Sequence, residues 1–123
     1  MKLVREKWQP VKGYKGYYEV DRKSNIRSLH KHNYQKVISQ NKNSSGYYTV
    51  SLRKNDKRKT AYVHRIVAMA FLENRKRKKV VNHINCNKLD NRVANLEWAT
   101  NSENTIHAFM NGCIPGKQLR IAA

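Results

Sequence analysis

The chain has 123 residues, with 26 Lys plus Arg against 8 Asp plus Glu, for a formal net charge of +18. That is room for one domain, or one small domain with an arm, and a charge of that size repels itself and attracts polyanions, so nucleic acid is the first partner to consider. No apolar run approaches the roughly 20 residues of a membrane span, Met1 to Pro10 lacks the apolar stretch of a secretory signal, and two cysteines, Cys86 and Cys113, are too few for a disulfide scaffold and read as reduced thiols.

The first half reads as strands and turns. Trp8 to Val20 places aromatic and β-branched residues behind the turn glycines Gly13 and Gly16. Asp21 to Asn25 is a polar turn. Ile26 to Ser28 and Val37-Ile38 suggest two further short strands. Asn41 to Gly46 turns again and leads into Tyr47 to Leu52, the clearest strand. Lys54 to Lys59 surrounds Asn55-Asp56 with cations, as a hairpin tip does, and Thr60 to Val63 returns. Residues 5 to 63 thus read as one small antiparallel sheet with basic turns.

From His64 the period changes. Ile66, Val67, Ala70 and Phe71 recur at helical spacing with no breaker between them. Arg75 to Lys79 is an unbroken basic run that must be solvated or face phosphate. Val80 to Ile84 is a short strand, Asn85 to Asn95 a loop rich in Asn and Asp, and Leu96 to Ala99 the next strand. Thr100, Asn101 or Ser102 can cap a helix that runs to about Asn111, with Gly112 as its stop. Pro115 to Ala123 carries no strong structural signal.

The stretch from Val80 to Gly112 therefore reads strand, polar loop, strand, helix, with His83, Asn95 and Asn104 at its joints. With Val63-His64-Arg65-Ile66-Val67-Ala68, Val81-Asn82-His83-Ile84-Asn85, Asn87-Lys88, Asn91, Asn95-Leu96-Glu97-Trp98-Ala99-Thr100 and Glu103-Asn104, the sequence resembles the HNH endonucleases of the phage and intron-encoded homing type. Trp8 to Val20 with Asn25 to Leu29 is similar to the small module that often precedes this nuclease. The resemblance covers residues 5 to 112. It implies an α+β fold, a small N-terminal antiparallel sheet followed by a ββα-metal unit, divided as 1–63 for the DNA-binding module, 64–112 for the nuclease unit and 113–123 for a tail.

The same resemblance implies hydrolysis of phosphodiester bonds in double-stranded DNA. Such chemistry needs a base for the attacking water and positive charge at the phosphate, which one His and one divalent cation can supply. By resemblance His83 is the base, Asn82 and Asn104 are ligands of Mg²⁺ or Mn²⁺, and Asn95 ties the loop and so orients His83. Some relatives carry Asp at position 82, and an amide there holds a cation less strongly. Asn85-Cys86 stands where relatives often show Asp-Gly.

Phosphate contacts are assigned to Arg65 and His107 and to the runs Lys57, Arg58, Lys59 and Arg75, Lys76, Arg77, Lys78, Lys79. Glu97 and Glu103 read as surface or helix-terminus charges and His64 as a structural histidine. The Cys and His spacings lack a Cys-x₂-Cys pair, which argues against structural zinc. The resemblance further implies action in the bacterial host cytoplasm as a monomer or homodimer, one active site favouring a nick, with no membrane and no small-molecule substrate. The competing reading is a non-catalytic nucleic-acid-binding protein that keeps the fold, raised by Asn82. An RNA-binding protein rests only on charge and tyrosines.

Overall fold

Gly13 and Gly16 take φ angles of +84° and +87°, which lets the chain double back between β1 (Gln9–Pro10) and β2 (Tyr18–Val20). Residues 7–111 are described by a computed structural model of the chain. Asp21 shapes the next turn. Its Oδ1 accepts from the backbone N–H groups of Lys23 at 2.9 Å and Asn25 at 2.8 Å, a local bond pattern typical of Asp in turns. β3 (Ile26–Ser28) then pairs antiparallel with β2, Val20 opposite Ile26. Alternation buries Tyr18 and Val20 on one face and leaves Glu19 half-buried on the other.

A short 3₁₀ turn, Lys31–Asn33, follows. The strand expected at Val37-Ile38 is reduced to one isolated bridge between Val37 and Arg27. Gln35 sits at φ +62°, and its backbone N–H bonds back to the Ser28 carbonyl, so the chain curls here instead of extending. A second sheet, separate from the first, holds β4 (Asn41–Lys42), β5 (Tyr48–Lys54) and β6 (Lys57–Tyr62). Residues 9 to 62 therefore hold two three-stranded sheets, where the sequence suggested one over 5 to 63. Asn55 and Asp56, at φ +53° and +64°, make the two-residue turn between β5 and β6, a position that favours Asn and Asp.

α1 (Val63–Phe71) is the centre of the molecule. Its buried residues Val63, Ile66 and Val67 share one hydrophobic cluster with Val20 and Ile26 of the first sheet, Val50 and Leu52 of the second, and Val81 and Leu96 beyond the helix. Both halves of the chain thus contribute to one core. Polar bonds reinforce the joins. The Arg53 N–H donates to the Tyr18 hydroxyl at 2.9 Å, and the Val93 N–H donates to the Arg22 carbonyl at 2.9 Å.

β7 (Val80–His83) and β8 (Leu96–Ala99) form an antiparallel ribbon, with a 3₁₀ turn at Val93–Asn95 before β8. α1 packs against both strands, and so does α2 (Asn101–Asn111). The α+β expectation holds, with small antiparallel sheets and two helices among the described residues. Gly112 and the tail lie outside those residues. Cys86, expected as a reduced thiol, is disulfide-bonded. Its φ of +67° is one that Gly adopts without cost.

α2 buries no residue fully, so its ends matter. Thr100 Oγ1 accepts from the Glu103 N–H at 3.0 Å, and Glu103 Oε1 accepts from the Thr100 N–H at 2.9 Å, a reciprocal capping box. Lys78 adds an ion pair to Glu103 at 2.9 Å. Thr100→Ala should destabilise α2 by about 1 kcal/mol. Hydrogen exchange should show faster opening of the α2 amides while those of β5 and α1 keep their protection.

Candidate active site

His83 ends β7 with its side chain only 6% exposed. Its Nε2 lies 2.7 Å from Asn91 Oδ1 in a buried hydrogen bond. An amide oxygen can only accept, so Nε2 carries the proton and Nδ1 keeps the lone pair. Nδ1 makes no hydrogen bond to the described residues and is not among their buried unpaired atoms. Asn95 ties the loop through amide bonds to backbone, as the sequence suggests, and the direct partner of the His83 ring is Asn91. Asn91 reaches the ring directly from the loop, whereas Asn95 is spent on the backbone. It accepts from the Asn85 N–H at 2.9 Å and donates to the Asp90 carbonyl at 2.9 Å. Asn91 belongs to the run of motif residues, and that was the signal available for it.

The His83 ring lies beside His64 of α1, with centroids 5.2 Å apart, and Tyr47 lies 6.1 Å away. Burial is the main force holding the His83 imidazole below its ordinary value, and Lys88 adds to it, while Asn91 and Asp90 act in the opposite sense. A neutral imidazole near pH 7 follows. His64 is held lower still, at about 3, by burial, then by His83 and Arg65. Its Nδ1 is buried without a hydrogen-bond partner.

Asn82 is 6% exposed and lies directly across the ribbon from Glu97. Its Nδ2 donates to Glu97 Oε2 at 2.7 Å. Residue alternation puts Asn82 on the face opposite His83, toward α2, because His83 faces α1. On α2, His107 donates from Nε2 to the Ile84 carbonyl at 3.0 Å, pinning the helix to the residue after His83. His107 thus serves as a structural anchor here. Asn104 lies three residues earlier, on the same helix face, and is half-buried. The Asn82 Oδ1 and the Asn104 carboxamide make no hydrogen bond to the described residues and are not among the buried unpaired atoms. No hydrogen bond joins any two of His83, Asn82 and Asn104. Among the described residues no three or more His, Cys, Asp or Glu side chains cluster as metal ligands, so a cation here draws on carboxamide oxygen.

The basic residues fall into two places. Lys57, Arg58 and Lys59 stand exposed on β6, Arg58 donating to Ser51 Oγ at 3.1 Å. Arg65, Arg77, Lys78 and Lys79 line a groove of about 600 Å³ with Lys12 and Trp98. Lys12 was not singled out in the sequence, where it lies far from the basic run. Arg65 is partly committed, donating to the Lys79 carbonyl at 2.8 Å with its guanidinium 5.6 Å from the Trp98 ring centroid. Arg75 pairs with Glu73 at 3.2 Å in the open, and Lys76 lies in the adjoining groove. No helix among the described residues is long and apolar enough to cross a membrane.

The lowered His64 has a consequence for stability. The unfolded chain takes up a proton near pH 6.5 that the folded chain refuses until about pH 3. Stability is therefore whole above pH 6.5 and falls as the pH drops through that window. His64→Gln cannot titrate, so its urea midpoint should vary less between pH 6.5 and pH 4 than that of the wild type. Equal slopes would remove His64 as a source of acid sensitivity.

Comparison with known proteins bears on the family. Residues 6–53 match the NUMOD4 motif, and residues 61–106 match the HNH endonuclease family. The chain is 43% identical over 108 residues to the uncharacterized HNH endonuclease L247 of Acanthamoeba polyphaga mimivirus, covering 85% of this chain and 26% of that protein. It is 33% identical over 107 residues to the DNA endonuclease I-HmuI of Bacillus phage SP01, covering 87% of this chain and 60% of that one. A solved structure of I-HmuI, described as showing DNA binding and cleavage by this HNH homing endonuclease, aligns with a TM-score of 0.79 at 33% identity, over 89% of this chain and 61% of that one. The chain thus spans less than two thirds of the length of each of these relatives. Two matched segments in the same order give this chain a NUMOD4 motif followed by a segment that matches the HNH endonuclease family over its strand–loop–strand–helix unit.

Proposed function

We propose that the chain is a metal-dependent endonuclease that nicks double-stranded DNA, with His83 as the base and Asn82 and Asn104 as ligands of Mg²⁺ or Mn²⁺. The observation that carries the reading is the buried 2.7 Å bond between His83 Nε2 and Asn91 Oδ1. It holds the tautomer in which Nδ1 can take a proton from water. As the water oxygen bonds to phosphorus, its proton passes to Nδ1 and the bond from phosphorus to the leaving sugar oxygen breaks. Nε2–H stays on Asn91 throughout, and the nearby Asp90 carboxylate favours the imidazolium that forms.

The donor set fits a hard divalent cation. Asn82 and Asn104 offer amide oxygens not bonded to the described residues, on β7 and on the helix packed against it. A bound cation would stabilise charge on the phosphate and the leaving oxygen. Residues 1–63 act in this reading as the DNA-binding module and 64–112 as the nuclease unit. The groove of Lys12, Arg65, Arg77, Lys78 and Lys79, with Lys57 to Lys59 on β6, supplies phosphate contacts, and affinity falls steeply with salt. A single site per chain suits a nick by a monomer. A homodimer would be needed for a concerted double-strand break. Phage relatives suggest action in the host cytoplasm.

In a plasmid-nicking assay, His83→Ala should bind DNA as the wild type does and nick about 10²- to 10⁴-fold more slowly. EDTA should abolish nicking by the wild type. The rate should decline on the acid side only below pH 6.5, because the imidazole is held under its ordinary value and must be neutral to act. Nicking by His83→Ala at the wild-type rate would remove this residue from the mechanism. Tight DNA binding without nicking in either metal would favour a non-catalytic DNA-binding protein, the reading that Asn82 raises.

A further inference from the structure

Asn82 creates a charge problem that its surroundings address. Two carboxamide ligands bring no formal charge to a divalent cation, and hard cations favour carboxylate. Glu97 stands directly opposite Asn82 in the β7–β8 register, and its Oε2 accepts from Asn82 Nδ2 at 2.7 Å. The bond has two effects. It occupies the nitrogen end of the amide, so the oxygen end is the one left to face outward. It also sets a full negative charge one amide group away from that oxygen. The other described acids nearby are engaged elsewhere: Glu103 with Lys78 and the Thr100 cap, Asp90 with Arg92. Glu97 makes no ion pair with any described residue, in a chain of net charge +18.

We propose that Glu97 is the positioning residue of the cation site: it turns the Asn82 carboxamide oxygen outward and supplies, from across the ribbon, the negative charge that an amide at position 82 lacks. Outer partners of metal ligands commonly tune affinity in this way. The proposal rests on the cation-site reading given above.

The test measures Mn²⁺ directly. Loss of the free-ion electron paramagnetic resonance signal gives Mn²⁺ binding to the full chain with a short DNA duplex, and plasmid nicking gives the half-saturating Mn²⁺ concentration. Glu97→Gln keeps an acceptor for Asn82 but removes the charge, and both readouts should weaken about 10- to 100-fold. Glu97→Ala removes acceptor and charge together and should weaken them at least as much. The double variant Asn82→Asp with Glu97→Gln returns the charge to the ligand and should recover most of the binding. Glu73→Gln, an exposed acid paired with Arg75, should leave both readouts unchanged and controls for net charge.

Glu97→Gln and Glu97→Ala proteins with wild-type Mn²⁺ binding and half-saturation would overturn the role of Glu97 while leaving the nuclease reading intact. A wild-type protein that neither binds Mn²⁺ nor nicks would overturn both. A double variant as weak as Glu97→Gln alone would also overturn the proposal, because charge would then not be what Glu97 supplies.

Discussion

The hydrogen bond between His83 and Asn91 constrains everything around it. An imidazole at the end of a short strand, in a chain carrying eighteen excess positive charges, would be solvated and free to rotate. Here it is buried, and one nitrogen is committed to an amide oxygen that can only accept. The contact places the proton on Nε2, and burial, against the opposing pull of the Asn91 bond, keeps the ring neutral. The price is a polar cluster in which His64 Nδ1 and Asn91 Nδ2 are buried without partners, an arrangement that is costly for stability and common where function sets the requirement.

The loop from Asn85 to Asn95 exists to hold that contact. It has no strand or α-helix of its own, so its backbone is satisfied partly by turn bonds to backbone carbonyls and partly by Asn and Asp side chains. Asn85 and Asn95 bond to each other and to the loop backbone, and Arg92 clamps Asp90 through two bonds of 2.8 Å. The clamp holds the Asp90 carboxyl down to about 2, with the Arg92 hydrogen bond as the leading cause. A rigid, amide-stitched loop delivers Asn91 to a fixed position under the ring. α1 closes the other side, placing His64 against His83 while its apolar face joins all three sheets into one core.

The positive charge is arranged with similar economy. Arg65 and Lys88 donate to backbone carbonyls and lie over aromatic rings, so part of the charge is held by neutral dipoles and π-faces instead of carboxylates. With so few acids in the chain, the positions of Glu97 and Glu103 carry weight. Glu103 closes the cap of α2, and Glu97 bonds to Asn82. Both were read from sequence as surface or helix-terminus charges. That was apt for Glu103, whose spacing from Thr100 is a local pattern. It missed the contact of Glu97, which depends on strand register.

Local physics made much of this chain legible from its residues alone. Asn55-Asp56 sets a hairpin turn, Thr100 and Glu103 set a helix start, and the spacing of Ile66, Val67, Ala70 and Phe71 sets a helix, because each signal acts over a few neighbouring residues. The motif order from Val80 to Asn104 likewise carried the family resemblance. Tertiary structure alone decided what depends on contacts between distant segments. The first half splits into two sheets because the chain curls at Gln35, and short polar segments do not announce their register. Asn91 meets His83, and Asn82 meets Glu97 across a ribbon, because a side chain's partner is chosen by where the fold brings it, which its own neighbours along the chain do not encode.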